Sequence, residues 1–234
     1  MRILVMRPAP EAAATAEHLA RLGHQAIAAP LLSIVPTRAK LPKGAFAAIA
    51  VTSANAIASL AEDPSPALAD VPVFVVGART AEVAKHRGFR NVRNPQADAR
   101  GLLAAVLAGL PAQAQILYLA GRDRKATFEG GLGERGIAVT VVETYVAQAA
   151  ETLPSAVLDA LQAGTLDAAL HYSPRSTAIF CRLVAQADLA WAAAAIAHHC
   201  ISAEAAGPLG GLAASRIFIA ERPDETALIA TLPR

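Results

Sequence analysis

Apolar runs of four to seven residues alternate along the chain with longer stretches in which apolar positions recur every three or four residues. That alternation predicts βα units and a mostly parallel sheet. One run stands apart: Ile137-Ala-Val-Thr-Val-Val-Glu-Thr-Tyr-Val-Ala-Gln148 is rich in β-branched residues, follows Gly136 and ends before the polar Glu151-Thr-Leu-Pro154. It is about twice the length of an ordinary strand of ~5–6 residues, and its apolar face switches partway. The pattern predicts a strand that leaves one packed body and enters another, with Tyr145 on the crossing.

Taken in order, Ile3 to Met6 reads as a strand with the exit loop Arg7-Pro-Ala-Pro10, then Glu11 to Leu22 as a helix stopped at Gly23. Gln25 to Ala29 is a second strand. Leu31 to Val35, bracketed by Pro30 and Pro36, is confined to an edge or a linker and is the natural antiparallel partner of the long strand. Ala47 to Val51 restarts the pattern and leads into a short helix reaching about Glu62, broken by Asp63-Pro-Ser-Pro66. Strands follow at Val73 to Val76, Asn91 to Arg93 and Ile116 to Ala120, with helices at Thr80 to Arg87, Asp98 to Ala108 and from Arg124 to Gly136. Beyond the crossing come a helix over Leu153 to Ala163 and a strand over Ala168 to Tyr172, and then a helix from Ser173 to about Ala187. Ala192 to Ile201 has strand character only near its end, so Trp191 and the alanines extend the preceding helix as an alternative. A short helix from Ala203, a strand over Arg216 to Ala220 and a helix from Asp224 complete the chain.

Three pairs of segments echo one another. Ala48 to Ile57 resembles Ala168 to Thr177, Val73 to Ala81 resembles His198 to Ala206, and Ile3 to Arg7 resembles Ile116 to Arg122. The expected fold is α/β: two similar parallel-sheet domains joined by a two-stranded β linker, the middle one inserted into the first. The boundaries expected are 1–33 with 149–234 for the discontinuous domain and 37–144 for the inserted one, with linkers at about 30–36 and 143–149.

Composition narrows the partners. The 234 residues are 54% hydrophobic, enough for one large or two ordinary cores. A net charge of +2 with both signs interspersed gives no electrostatic reason to bind nucleic acid or an anionic membrane. No run reaches the ~20 apolar residues of a membrane span, and the start Arg2-Ile-Leu-Val-Met6 reads as a strand rather than a targeting segment. Cys181 and Cys200 lack CxxC or histidine spacing and read as buried thiols in a reducing cytoplasm. Only ten aromatic residues (six Phe, three Tyr, one Trp) are available to stack on bases or flat cofactors.

Ligands of open parallel sheets bind outside the carboxyl ends of the strands. The exits here are Arg7, Ser53-Ala54-Asn55, Gly77 to Thr80, Gly121-Arg122-Asp123-Arg124, Ser173-Pro174-Arg175-Ser176 and Ser202-Ala203-Glu204. Most pair a small residue with a helix start, whose free N–H groups favour an anion by ~0.3–1 kcal/mol. Any one of them reads simply as a capped helix; their duplication across two bodies is what suggests a ligand with many carboxylates. Arg122 and Arg124 suit carboxylates too, or a solvated helix start. There is no phosphate loop, no GxGxxG after the first strand and no nucleophile elbow. His198 and His199 are adjacent, point to opposite faces of a strand and cannot clamp one metal; core or surface roles are expected for both. Tyr145 can donate a proton or hydrogen bond at neutral pH, or sit at the strand edge with a wet hydroxyl.

The segments Arg2-Ile-Leu-Val-Met-Arg-Pro8, Val51-Thr-Ser-Ala-Asn-Ala56, Val76-Gly-Ala-Arg-Thr-Ala81, Gly136-Ile-Ala-Val with Glu143-Thr-Tyr145, and Tyr172-Ser-Pro-Arg-Ser176 stand in an order that resembles the uroporphyrinogen-III synthases, over essentially the whole chain. The resemblance implies two α/β domains on a two-stranded linker with the active cleft between them. It implies a carbon–oxygen lyase that cyclises hydroxymethylbilane to uroporphyrinogen III, inverting the last pyrrole ring and releasing water, with no cofactor and no metal. It assigns Tyr145 to departure of the substrate hydroxyl. Arg7, Ser53, Ala54, Asn55, Gly77, Thr80, Gly121, Arg122, Ser173, Pro174, Arg175, Ser176, Ser202 and Ala203 then fall to substrate binding. The enzyme is expected to be a cytoplasmic monomer whose partner is its tetrapyrrole substrate. One departure is visible: many relatives carry Gly-Pro-Thr-Thr where this chain has Ser202-Ala-Glu-Ala205, which places an acid beside a turn that takes anions. The alternative is a catalytically silent two-domain relative that binds a small anionic ligand.

Overall fold

In a computed structural model that describes residues 1–233, the apolar runs become strands and the longer patterns helices. In chain order these are β1 (Arg2–Val5), α1 (Ala9–Arg21), β2 (Gln25–Ala28), β3 (Leu32–Pro36), β4 (Ala48–Val51), α2 (Ala54–Ala58), α3 (Pro66–Ala69), β5 (Val73–Val75), α4 (Ala78–His86), α5 (Ala99–Gly109), β6 (Gln115–Gly121), α6 (Thr127–Gly133) and β7 (Ala138–Ala149). The remainder comprises α7 (Ser155–Gln162), β8 (Ala168–His171), α8 (Pro174–Gln186), α9 (Ala190–Ala195), β9 (Ala197–Cys200), α10 (Ala203–Ala206), a 3-10 turn Gly207–Leu212, β10 (Ile217–Ile219) and α11 (Glu225–Ile229). The chain divides into two compact units, Met1–Ser33 with Gln148–Arg234, and Ile34–Ala147. Both divisions fall inside strands, β3 and β7.

The discontinuous unit holds a parallel sheet in the order β10-β9-β8-β1-β2. β8 is buried along its whole length, as is usual for a strand covered on both faces. One face packs Leu4, Ala169, Phe180 and Leu183; the other packs Ile3, Val5, Leu170 and Leu228. The continuous unit orders its strands β3-β7-β6-β4-β5. β4, β5, β6 and β7 run parallel, again with a core on each face. Segment 31–37 runs antiparallel to the long strand, because Thr37 N–H donates to the Thr144 carbonyl and Ala150 N–H to the Leu31 carbonyl, both at 2.9 Å. The order β2-β1-β8-β9 in one unit matches β7-β6-β4-β5 in the other, so each of the three sequence echoes falls on equivalent strands.

Three local expectations change. The helix expected to reach Glu62 ends at Ala58, and the breaker Asp63-Pro-Ser-Pro66 starts a helix of its own. Ser65 accepts the Leu68 N–H there, and Pro66 occupies a first-turn position that needs no N–H. Trp191 does not extend α8: the chain turns at Asp188, in the left-handed region at φ 58°, and Trp191 lies in the separate helix α9. The strand expected over Asn91 to Arg93 is reduced to an isolated parallel bridge between Val92 and Val73.

Candidate functional site

Because β4 pairs in parallel with both β5 and β6, their carboxyl ends share one edge of the continuous unit. Ser53, extended at φ −148°, caps α2 by accepting the Asn55 N–H at 3.3 Å; Ala54 and Asn55 form the first turn. Gly77 caps α4 at φ 79° and ψ 147°, a conformation that would cost a side-chain-bearing residue of order 1–3 kcal/mol. Thr80, expected among the substrate-binding residues, is buried in α4.

Tyr145 sits on Gly121. The two residues pair across β6 and β7 just where the register shifts, between Ala120 and Gly121. Arg122 N–H donates to the Tyr145 carbonyl at 2.9 Å. A Cβ at Gly121 would lie 2.6 Å from Tyr145 Cζ and 2.9 Å from both Cε2 and the hydroxyl. Any side chain at position 121 would therefore have to displace the ring above it.

The exit of β6 is organised by Arg124. Its guanidinium donates to Glu129 at 2.6 Å, Glu143 at 2.9 Å and the carbonyls of Gly121 and Arg122 at 3.1 and 3.3 Å. The Glu129 bond raises the guanidinium pKa, and Arg124 in turn lowers that of Glu143. Arg122 makes only a 3.3 Å bond to Glu143, and its side chain is 60% exposed. Nearby, the Tyr118 hydroxyl meets Thr52 at 3.0 Å, and burial pushes its pKa up.

In the discontinuous unit, β1, β8 and β9 are parallel neighbours, and their exits again share an edge. Ser173 caps α8 by accepting the Ser176 N–H at 3.2 Å, while the buried Ser176 hydroxyl donates to the Ser173 carbonyl at 3.1 Å. Pro174 and Arg175 form the exposed first turn. Ser202 caps α10 through the Ala205 N–H at 3.2 Å, with Ala203 and Glu204 exposed behind it. α8 has 13 residues and α4 nine, whereas α10 has four and α2 five, so α8 and α4 offer the stronger anion ends.

Arg7 already has a carboxylate. It pairs with Glu225 at 3.0 Å, reaches Thr15 at 3.3 Å and lies 4.3 Å from the Tyr172 ring centre. Tyr172 donates to Glu225 at 3.1 Å, and burial pushes its pKa up to about 12. The adjacent histidines do face opposite sides: His198 bonds His171 at 2.9 Å and His199 bonds Thr231 at 2.7 Å. All three rings are buried. Among the described residues no cluster of three or more His, Cys, Asp or Glu side chains could hold a metal, and no helix is long and apolar enough to cross a membrane.

The family model described as Uroporphyrinogen-III synthase HemD matches residues 13–230. The chain belongs to the uroporphyrinogen-III synthase family. The uroporphyrinogen-III synthetase of Helicobacter pylori 26695 shares the fold with a TM-score of 0.65 at 18% identity, over 98% of this chain and 97% of that one. A mutant uroporphyrinogen III synthase of the extremely thermophilic bacterium Thermus thermophilus matches with a TM-score of 0.53 at 17% identity, over 98% and 96%. A search of curated proteins by sequence found no match.

In this member of the uroporphyrinogen-III synthase family, Ser53, Gly77, Gly121 and Tyr145 come together in one unit, and Arg7, Ser173 and Ser202 in the other. The roles of Thr52, Tyr118, Glu143, Tyr172 and Glu225 were not apparent from the sequence. Their partners lie tens to hundreds of residues away, and only the position of Thr52 and Tyr172 at strand exits offered a signal.

Proposed function

We propose that Tyr145 assists departure of the substrate hydroxyl as water, and that the strand-exit turns bind substrate carboxylates. The chain is a uroporphyrinogen-III synthase: it closes hydroxymethylbilane to uroporphyrinogen III with inversion of the last pyrrole ring and loss of one water. The observation that carries this is the family match over residues 13–230.

The role of Tyr145 is supported by its seat on Gly121, which holds the phenol against a strand exit instead of leaving it loose at an edge. A phenol with a proton to donate helps the hydroxyl leave. The cation that results is reactive by itself, so the enzyme's larger task is to direct attack to the substituted carbon of the last ring. Positioning of that kind comes from binding energy spread over many contacts. Ser53, Gly77, Arg122, Ser173 and Ser202 with their neighbouring N–H groups are the proposed carboxylate contacts; Gly121 and Arg7 shape the turns that carry them. Two cysteines without a disulfide support a reducing, cytoplasmic setting, and sheets covered on both faces by their own helices support a monomer.

The test is to supply hydroxymethylbilane, oxidise the products and resolve the isomers. The type III isomer is expected, with turnover lowered by no more than ~10²–10⁴ in Tyr145→Phe. Only type I isomer at the uncatalysed rate would overturn the assignment of this chain as an active enzyme.

A further inference from the structure

In both units a side-chain contact ties down the residue that precedes a capping serine. Ala48 to Ile57 is equivalent to Ala168 to Thr177, so Thr52 and Ser53 of one unit correspond to Tyr172 and Ser173 of the other. The Thr52 hydroxyl meets the Tyr118 hydroxyl of β6 at 3.0 Å. Arg7, which follows β1, has its guanidinium carbon 4.3 Å from the centre of the Tyr172 ring. β6 and β1 hold equivalent places beside β4 and β8, so in each unit the tether comes from the same neighbouring strand. The two tethers share a position and no chemistry.

The tether of Tyr172 is the more elaborate. Glu225, the first residue of α11, accepts the Tyr172 hydroxyl at 3.1 Å and meets the Thr15 hydroxyl through Oε1, while its Oε2 pairs with Arg7 at 3.0 Å. One carboxylate thus joins α1, the exit of β1 and the exit of β8. Bonds to a charged group are roughly twice as strong as neutral ones, so Arg7 has little to gain by exchanging Glu225 for a carboxylate of the substrate. Burial pushes the Tyr172 pKa up to about 12, which keeps the phenol protonated and a donor at neutral pH. Next along the chain is Ser173, whose Oγ accepts the Ser176 N–H at 3.2 Å and whose carbonyl accepts the Ser176 hydroxyl at 3.1 Å. A shift of Tyr172 is therefore passed through one rigid peptide bond to the turn that opens α8.

We infer that Tyr172 and Glu225 are positioning residues for the reaction: they hold the Ser173 turn in the place where it takes a substrate carboxylate, as the Tyr118 and Thr52 pair holds the Ser53 turn. The inference rests on the assignment of those turns to substrate binding. Neither Tyr172 nor Glu225 has to touch the substrate, and through Glu225 the last helix of the chain becomes part of the binding machinery.

The test is steady-state kinetics of the full chain on hydroxymethylbilane, with the product resolved by isomer, alongside urea unfolding. Tyr172→Phe removes one hydrogen bond and keeps the ring, so KM should rise about three- to tenfold while kcat stays within about twofold, the pattern of lost binding without lost chemistry. Glu225→Ala should raise KM at least as much, and Glu225→Gln, which keeps an acceptor for the phenol, should raise it less. Tyr118→Phe makes the equivalent deletion in the other unit; its KM should rise over the same range, and it decides the question if Tyr172→Phe fails to fold. An unchanged KM with a lowered urea midpoint would reduce these side chains to packing and overturn the inference. A fall in KM on Glu225→Ala would overturn it as well, because Glu225 would then be a plug that keeps Arg7 from the substrate. Absence of type III isomer from the unaltered protein would remove the reading beneath the inference, an outcome distinct from an active protein whose variants keep its KM.

Discussion

Gly121→Ala isolates what the seat of Tyr145 is worth. The added Cβ would lie 2.6 Å from Tyr145 Cζ, whereas carbon atoms pack at ~3.5–4.0 Å, so the ring must retreat by about 1 Å. Gly121 is not among the residues with positive φ, so alanine introduces no backbone strain and the perturbation is steric alone. Overpacking a rigid core costs ~1–3 kcal/mol, but Tyr145 is only partly buried and can swing outward, which puts the stability loss at the low end of that range. Displacing a reacting group by ~1 Å is worth about 10²-fold in rate. Turnover of hydroxymethylbilane to the type III isomer should therefore fall about 10²-fold while the urea midpoint moves little. In a Tyr145→Ala background the same substitution meets no ring, and its further effect on turnover should vanish. Undiminished turnover in Gly121→Ala, alongside a strong defect in Tyr145→Phe, would refute the reasoning.

Two further outcomes follow from the same structure. Arg124→Ala strips Glu129 and Glu143 of their main partner and should destabilise by ~1–3 kcal/mol in urea unfolding, whereas Arg122→Ala, losing one exposed 3.3 Å bond, should cost under ~1 kcal/mol and show itself as a raised KM. Equal stability losses would count against the division between an organising and a binding arginine. Burial holds His171 well below the usual imidazole range and His199 at about 4. Unfolded imidazoles titrate near ~6.5, so below that pH the unfolded chain binds more protons than the folded one. Stability is full above pH ~6.5 and falls toward pH 4, by up to ~1.4 kcal/mol per pH unit for each histidine. His199→Gln should flatten this slope between pH 6.5 and 5; an unchanged slope would show that the ring contributes nothing to it.

The alternation of short apolar runs with helical periods determined the βα units by itself, because side-chain period is a local property of the backbone. It also marked Ile137 to Gln148 as the long strand, found at Ala138–Ala149, and the echoes of Ala48 and Ala168, Val73 and His198, and Ile3 and Ile116 anticipated two sheets with equivalent strand order. Helix caps such as Ser53 and Ser173 were equally legible, since a cap acts on residues two or three positions away. The tertiary structure alone decided the rest. Arg7 read as an open carboxylate binder until Glu225, 218 positions later, was brought against it. Gly121 read as a ligand turn until register placed Tyr145 over its missing Cβ. His171 and His198 share a hydrogen bond because β8 and β9 are neighbours, and His199 meets Thr231, 32 positions later, through Nδ1 and leaves Nε2 without a partner. Each of these turns on which distant residues occupy the same few ångströms. Strand register and helix packing set that, and a local pattern of apolar and polar positions carries no record of it.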